Sequence, residues 1–306
     1  MDLFDLHCDT LTSCCNKGLS LAENELEISL QKGAYLERWA QCFAVFVPDE
    51  LRGEAAYDYY RRAVDYYRAQ AAPPLLREGA QLAALRRGER RLCPILTVEG
   101  GAVLAGRLER IQALAEDGVQ MLTITWNGEN ELGWGISENR GLKPLGREAV
   151  REMERWGILP DVSHLSQWGF YDLAAVAEGP IVASHSNAKA LCNHPRNLTD
   201  EQFAVIRDRG GLVGLNYNQG FLREDGPATP DDIAEHALHF LALGGEKTLA
   251  LGSDFDGAEM PQQLPDIAAL PALADAMARR GIGPQQIQAI FFDNAADFFE
   301  RRLSSF

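Results

Sequence analysis

The 306-residue chain reads as a single-domain α/β protein, a (β/α)8 TIM-like barrel occupying residues 1–306. Three observations predict this. Eight short apolar stretches recur along the whole length, at 3–10, 40–47, 92–99, 119–126, 157–164, 180–185, 211–217 and 248–254. Most are separated by segments of helical periodicity, the alternation that builds a parallel sheet covered by helices. No repeat, low-complexity tract or linker divides the chain, and a barrel of this class commonly takes about 250 residues.

The first stretch, Leu3-Phe4-Asp5-Leu6-His7-Cys8-Asp9-Thr10, ends in an imidazole and a carboxylate two residues apart. On a strand, His7 and Asp9 share a face while Cys8 points away. Residues 10–38 are mixed in character, with a candidate substrate-facing loop at Asn16-Lys17-Gly18. Ala40 to Val47 is a buried strand. Residues 54–71 carry Tyr60, Ala63, Val64 and Tyr67 at i, i+3, i+4 and i+7, an amphipathic helix whose five tyrosines are packing rather than a ligand box. A helix over 75–88 closes at Gly88. The stretch 92–99 is almost wholly apolar yet ends in Glu99, a carboxylate that is costly there unless something cationic holds it.

A helix over 104–116 leads to the strand 119–126, which opens into the polar, glycine-rich loop 127–141. That loop is long for a compact domain and is a candidate lid. Helices over 144–156 and 166–177 flank a strand ending in His164, and the stretch 180–185 ends in His185. After the loop 192–197, a helix is capped near Thr199-Asp200. The strand 211–217, a helix from Pro230 to about 243 and a strand ending in Asp254 complete the barrel pattern. The tail, 271–302, is helical with a break at 281–284.

Barrel active sites lie at the C-terminal ends of the strands. Here strands one, three, five, six and eight end in His7 and Asp9, Glu99, His164, His185 and Asp254. Three carboxylates beside three imidazoles in one barrel mouth conflict unless a cation compensates them, and a metal centre does so. Three imidazoles with Asp9 and Glu99 exceed the three protein ligands typical of one catalytic zinc and suit two ions. His7 and Asp9 would hold one, His164 and His185 the other, and Glu99 would bridge, leaving Asp254 for proton transfer. The donor types point to two Zn2+ per chain, although manganese or cobalt fits the same geometry.

The formal charge of -15 argues against a nucleic-acid partner, since phosphate binding depends on clustered Lys and Arg. The chain starts Met1-Asp2-Leu3-Phe4-Asp5 with no basic leader, and no run of about 18 apolar residues occurs, so it is expected to be neither secreted nor membrane-spanning. Six cysteines without CxxC spacing read as reduced thiols of a cytoplasmic protein.

His7-Cys8-Asp9, Val98-Glu99-Gly100-Gly101, Asp161-Val162-Ser163-His164, Ser184-His185-Ser186-Asn187-Ala188, His194-Pro195-Arg196-Asn197 and Gly252-Ser253-Asp254-Phe255-Asp256-Gly257 run in the order of a known family. Together they resemble the renal-type (membrane) dipeptidases, zinc metallopeptidases of the amidohydrolase superfamily. The resemblance implies a distorted (β/α)8 barrel, a binuclear zinc centre with a bridging water or hydroxide, and hydrolysis of dipeptides, some with a C-terminal D-residue. By motif match, His7 and Asp9 bind one zinc, His164 and His185 the other, with Glu99 bridging. Arg196 holds the substrate carboxylate, a role that suits its planar fork. A homodimer is implied as well.

One departure stands out. Mammalian members have a histidine just after the fourth strand that contacts the scissile carbonyl oxygen, and this chain has Trp126, which offers only an indole N–H. Asn127 is a replacement donor. The expected function is a binuclear zinc dipeptidase in which Asp254 passes a proton from the attacking water to the departing amine, with Asp256 the alternative for that role. A related hydrolase of another small amide or ester, such as an N-acyl amino acid or a lactone, is the alternative, as is a non-catalytic metal- or small-molecule-binding barrel.

Overall fold

The computed structural model describes residues 1–304. Eight strands close into a barrel in sequence order: β1 (Asp2–Cys8), β2 (Arg38–Phe46), β3 (Leu92–Glu99), β4 (Val119–Thr123), β5 (Leu159–Asp161), β6 (Val182–Ala183), β7 (Leu212–Leu215) and β8 (Leu249–Leu251). Each neighbouring pair is parallel, and β1 closes on β8 through Asp5 and Leu251. The expected (β/α)8 architecture is therefore the observed one.

Its strands are buried on both faces, which is why they read as continuous apolar runs rather than alternating ones. One buried cluster takes a residue from every strand, including Phe4, Ala40, Ile95, Met121, Leu159, Val182, Leu212 and Ala250. Only the barrel interior can collect side chains from all eight. The same cluster contains Phe292 and Phe299 of the tail, and Phe299 stacks on Phe4 with centroids 5.2 Å apart. A larger cluster, with Trp39, Phe43 and Val45 of β2, packs the outer face of the strands against the helices.

The helices start where the chemistry permits. Thr199 and Gln202 form a capping box at the helix Asp200–Asp208, and Thr229 with Asp232 does the same for Pro230–Ala242. Ser166 Oγ accepts from Gly169 N–H at the helix Gln167–Val176. Helices Glu54–Ala69 and Pro144–Arg155 lie where the periodicity puts them, the helix expected over 104–116 runs Glu109–Asp117, and the tail divides into Leu270–Arg279, Pro284–Gln288 and Asn294–Leu303 around the expected break.

Three expectations change. Six of the ordered strands, β1 and β4 to β8, end before their apolar runs do, because the last residues of those runs leave the ladder to turn across the mouth, whereas β3 fills its run to Glu99. Residues 10–17 are a helix, Thr10–Lys17, that starts directly after Asp9 and ends at the left-handed Gly18. Its eight residues carry Asn16-Lys17-Gly18 about 12 Å from the strand end, and Asn16 there bonds Tyr59 and Arg62. That segment is a helix terminus and not a substrate loop. Finally, the loop 127–141 is tied down rather than lid-like: Gly135 bridges to Leu165, Asn130 Nδ2 donates to Ile124 O at 2.9 Å, and Lys143 pairs with Glu129 at 2.6 Å.

All six cysteines are free thiols. Among the described residues, no helix is long and apolar enough to cross a membrane.

Candidate metal centre

His7 lies on β1, Asp9 immediately after it, and Glu99 is the last residue of β3. His185 stands two residues past β6, and His164 and Asp254 stand three residues past β5 and β8. The structure brings all six together. His7 Nε2 lies 3.4 Å from Glu99 Oε2 and 3.8 Å from both Asp9 Oδ2 and Asp254 Oδ1. On the other side of the same carboxylate, Glu99 Oε1 is 2.7 Å from His164 Nε2 and 3.5 Å from His185 Nε2. Three overlapping triads have ligand atoms spaced for a cation: His7-Asp9-Glu99, Glu99-His164-His185 and His7-His185-Asp254.

Backbone strain accompanies the placement. Four non-glycine residues among those described have positive φ, and two of them are His164 at 68° and Asp254 at 64°. The tight β8 turn also needs Gly257, because a Cβ there would collide with the Asp9 carboxylate.

The donor set fits a metal. Asn127 Oδ1 lies 2.8 Å from His164 Nδ1, and Ser184 Oγ lies 2.7 Å from His185 Nδ1. Neutral imidazoles that donate from Nδ1 present bare Nε2 lone pairs, and these two face each other at 2.9 Å beside Glu99 Oε1. With both Nε2 atoms bare, three acceptors crowd together, and a cation among them relieves that conflict. His7 Nε2 and Asp9 Oδ1 are likewise buried without hydrogen-bond partners.

Electrostatics divides the cluster. Burial opposes charge on His7, but Glu99 and Asp9 outweigh it and hold its pKa well above the usual value. Burial pushes Asp9 up to about 6 and Asp254 up to about 7, the former with Glu99 and the latter with Asp9 and Glu99 adding repulsion. His164 is pushed down to about 4 by burial and then Arg196, and His185 goes well down by burial and then His7. Burial opposes the Glu99 charge too, yet His7 and His164 hold it well below the usual range.

Arg196 is 4 % exposed and forms no salt bridge among the described residues; its Nη2 donates to His185 O at 3.1 Å and its Nε has no partner. Trp126 sits at the edge of the cluster, edge-on to Phe46 at 5.0 Å and 6.2 Å from His164 between centroids. Asn127, expected as a substrate donor, turns its Oδ1 to His164 Nδ1 and orients that ring. Asp256 is taken up by Thr10 Oγ1 and Glu27 N–H, off the cluster.

Sequence reasoning missed Asn216, whose Nδ2 donates to Asp254 Oδ2 at 3.0 Å. The signal was available, since Asn216 is a polar residue just past β7, the same position that singled out the others. A cavity of about 660 Å3 lies at the opposite end of the barrel against Pro160, Pro180, Gly210 and Phe298 and holds none of these groups.

The chain matches the family model of membrane dipeptidase (peptidase family M19) over residues 1–301. A fission yeast (Schizosaccharomyces pombe) protein named as the uncharacterized dipeptidase C965.12 is 34% identical over 196 residues. That match is 61% of this chain and 47% of the yeast protein, so the chain accounts for about half the length of that relative. A metallopeptidase of Rhodobacter sphaeroides, solved with a phosphinate mimic of the dipeptide L-Ala-D-Ala, superposes with a TM-score of 0.91 at 26% identity, covering 99% of both chains. The dipeptidase AC, a metallopeptidase of family M19, superposes with a TM-score of 0.91 at 27% identity, also covering 99% of both. With the family model matched over residues 1–301 and the metal-type cluster at the barrel mouth, the chain belongs to the membrane dipeptidase family, peptidase family M19, and is a metal-dependent peptide hydrolase.

Proposed function

We propose that the chain is a binuclear zinc dipeptidase whose substrates include dipeptides with a C-terminal D-residue. The observation that carries this reading is Arg196, a buried guanidinium with no carboxylate partner of its own, directly behind His185. An unpaired buried cation is costly, and a substrate carboxylate entering the mouth supplies the missing partner. A dipeptide has one such carboxylate a single residue from its scissile bond. The L-Ala-D-Ala mimic held by the Rhodobacter sphaeroides relative supports the D-residue.

His7 and Asp9 would hold one ion, His164 and His185 the other, and Glu99 would serve both. Two such ions supply Lewis acidity and a nucleophile derived from water at neutral pH. The remaining steps belong to the chain. Arg196 fixes the carboxylate end of the substrate so that its peptide carbonyl meets the cluster. Asn216 occupies Asp254 Oδ2 and leaves Oδ1 toward the cluster, 3.8 Å from His7 Nε2. Asp254 takes the proton of the attacking water at Oδ1 and delivers it to the departing amine. Trp126 and Phe46 wall one side of the mouth with aromatic surface.

A panel of L-Xaa-L-Xaa and L-Xaa-D-Xaa dipeptides assayed on purified protein, with zinc measured on the same sample, tests the reading. Turnover at about two zinc ions per chain is the expected result. Two metals with no dipeptide turnover overturns it and moves the search to other small amides and esters, with Trp126 as the cause.

A further inference from the structure

Asp161 ends β5 and is 1 % exposed. Its carboxylate receives four hydrogen bonds. Oδ1 accepts from the backbone N–H groups of Ser163 and Ser184, each at 3.0 Å. Oδ2 accepts from the hydroxyls of Thr123 at 2.7 Å and Ser184 at 2.6 Å.

Ser184 has one proton to give. Its charge-assisted bond to Asp161 is much shorter than the 3.4 Å contact to Ser163 Oγ, so the proton goes to Asp161. The Ser184 oxygen is then left as an acceptor, 2.7 Å from His185 Nδ1. That nitrogen must carry the imidazole proton, and Nε2 is bare.

We propose that Asp161 is a positioning residue which, through the Ser184 hydroxyl, locks His185 in the Nδ1–H tautomer and keeps its Nε2 lone pair available to a divalent cation. The inference rests on the metal-centre reading. The other half of the cluster lacks this device: Asp5 holds Ser253 in the same manner, with Oγ at 2.6 Å and N–H at 2.8 Å, but Ser253 Oγ lies 3.1 Å from the His7 carbonyl oxygen and, among the described residues, hydrogen-bonds no imidazole. The relay therefore governs one ion position and not the other.

Asp161→Asn reverses it with almost no change in shape. The two backbone N–H groups hold the amide oxygen where Oδ1 was, so the NH2 group faces Ser184 and donates to its oxygen. The Ser184 proton then turns to His185 Nδ1, and His185 becomes the Nε2–H tautomer, which cannot ligate. Imidazole 15N NMR on the chelated full-length protein reads the tautomer, and a Co2+ titration followed by its visible absorption reads each binding step. The expected result is Nδ1–H and two Co2+ steps in the wild type, against Nε2–H and one step weakened about 10–100-fold in D161N with the other unchanged. If D161N does not fold, Ser184→Ala carries the test, with loss of the tautomer preference and selective weakening of the same step. An unchanged tautomer in the folded variant, or equal weakening of both steps, overturns the proposal. A wild type that takes up no Co2+ overturns the metal reading instead, and the tautomer comparison still decides the role of Asp161.

Discussion

The two halves of the barrel-mouth cluster are made of opposite chemistry. On the β1/β8 side a single imidazole, His7, lies 3.4 to 3.8 Å from Glu99, Asp9 and Asp254. On the β5/β6 side two imidazoles meet at 2.9 Å, with the guanidinium of Arg196 behind them. Their titration follows: against the cost of burial, carboxylates hold the His7 pKa up, whereas burial and neighbouring cations push His164 and His185 down. On the proposed reading, one side would attract a cation by charge and the other by lone pairs fixed in advance, and Glu99 is the carboxylate that reaches both.

The largest effect is expected where the halves join. Glu99→Gln removes the only carboxylate common to both sides, so zinc content should fall below one ion per chain and kcat/KM by at least roughly 10^3-fold. Metal analysis beside the assay checks it. A variant that keeps two ions and full affinity would show that the halves bind independently.

Asp254→Asn probes the carboxylate-rich half. If Asp254 carries the proton, kcat falls by about 10^2 to 10^4-fold while zinc stays near two per chain. Loss of metal and turnover together would make it a ligand, as its place in a triad with His7 and His185 permits. Arg196→Met probes the other half with a smaller change. KM for dipeptides should rise by roughly 10 to 100-fold, the worth of a charge-assisted bond. The melting temperature should hold or increase, because the substitution removes a buried charge that has no carboxylate partner among the described residues and loses only the bond to His185 O.

How far the sequence foretold this depended on the distance over which each feature is encoded. The barrel was legible because burial of both strand faces writes an apolar run into every strand. His7, Glu99 and His185 were legible for the same reason, since each is a polar residue closing such a run. The route by which His164 and Asp254 reach the cluster was not. Both stand beyond their strands in left-handed backbone, a property of the turn that apolar patterning does not record. Asn127 was assigned to substrate because its chain neighbour Trp126 replaces an expected histidine. Its contact with His164, 37 residues away, was not legible, because a contact that remote leaves no local signature. Asp161 was visible only as one letter of a motif, since its four donors come from β4 and the turns after β5 and β6.

The smallest expected effect concerns the support of the nitrogen-rich half. His236 is buried and neutral: Ala188 N–H donates to its Nδ1 at 3.0 Å, and its Nε2–H donates to Leu222 O at 3.0 Å. Ala188 follows His185 by three residues, so this ring braces the loop that carries that histidine. Burial pushes the His236 pKa down to about 4. Between the ordinary value of 6.5 and about 4, the unfolded chain therefore binds a proton that the folded chain refuses. Stability contributed by this group is complete above pH 6.5 and is lost as pH falls toward 4, by about 3 kcal/mol in all. His236→Asn keeps an acceptor for Ala188 but has no titrating nitrogen. It should start less stable, through the lost bond to Leu222, and its unfolding free energy should fall less steeply than that of the wild type across that window. Urea unfolding at pH 7, 6, 5 and 4 measures both slopes, and parallel curves would mean that His236 takes up its proton in the folded state and that the brace is looser than its hydrogen bonds imply.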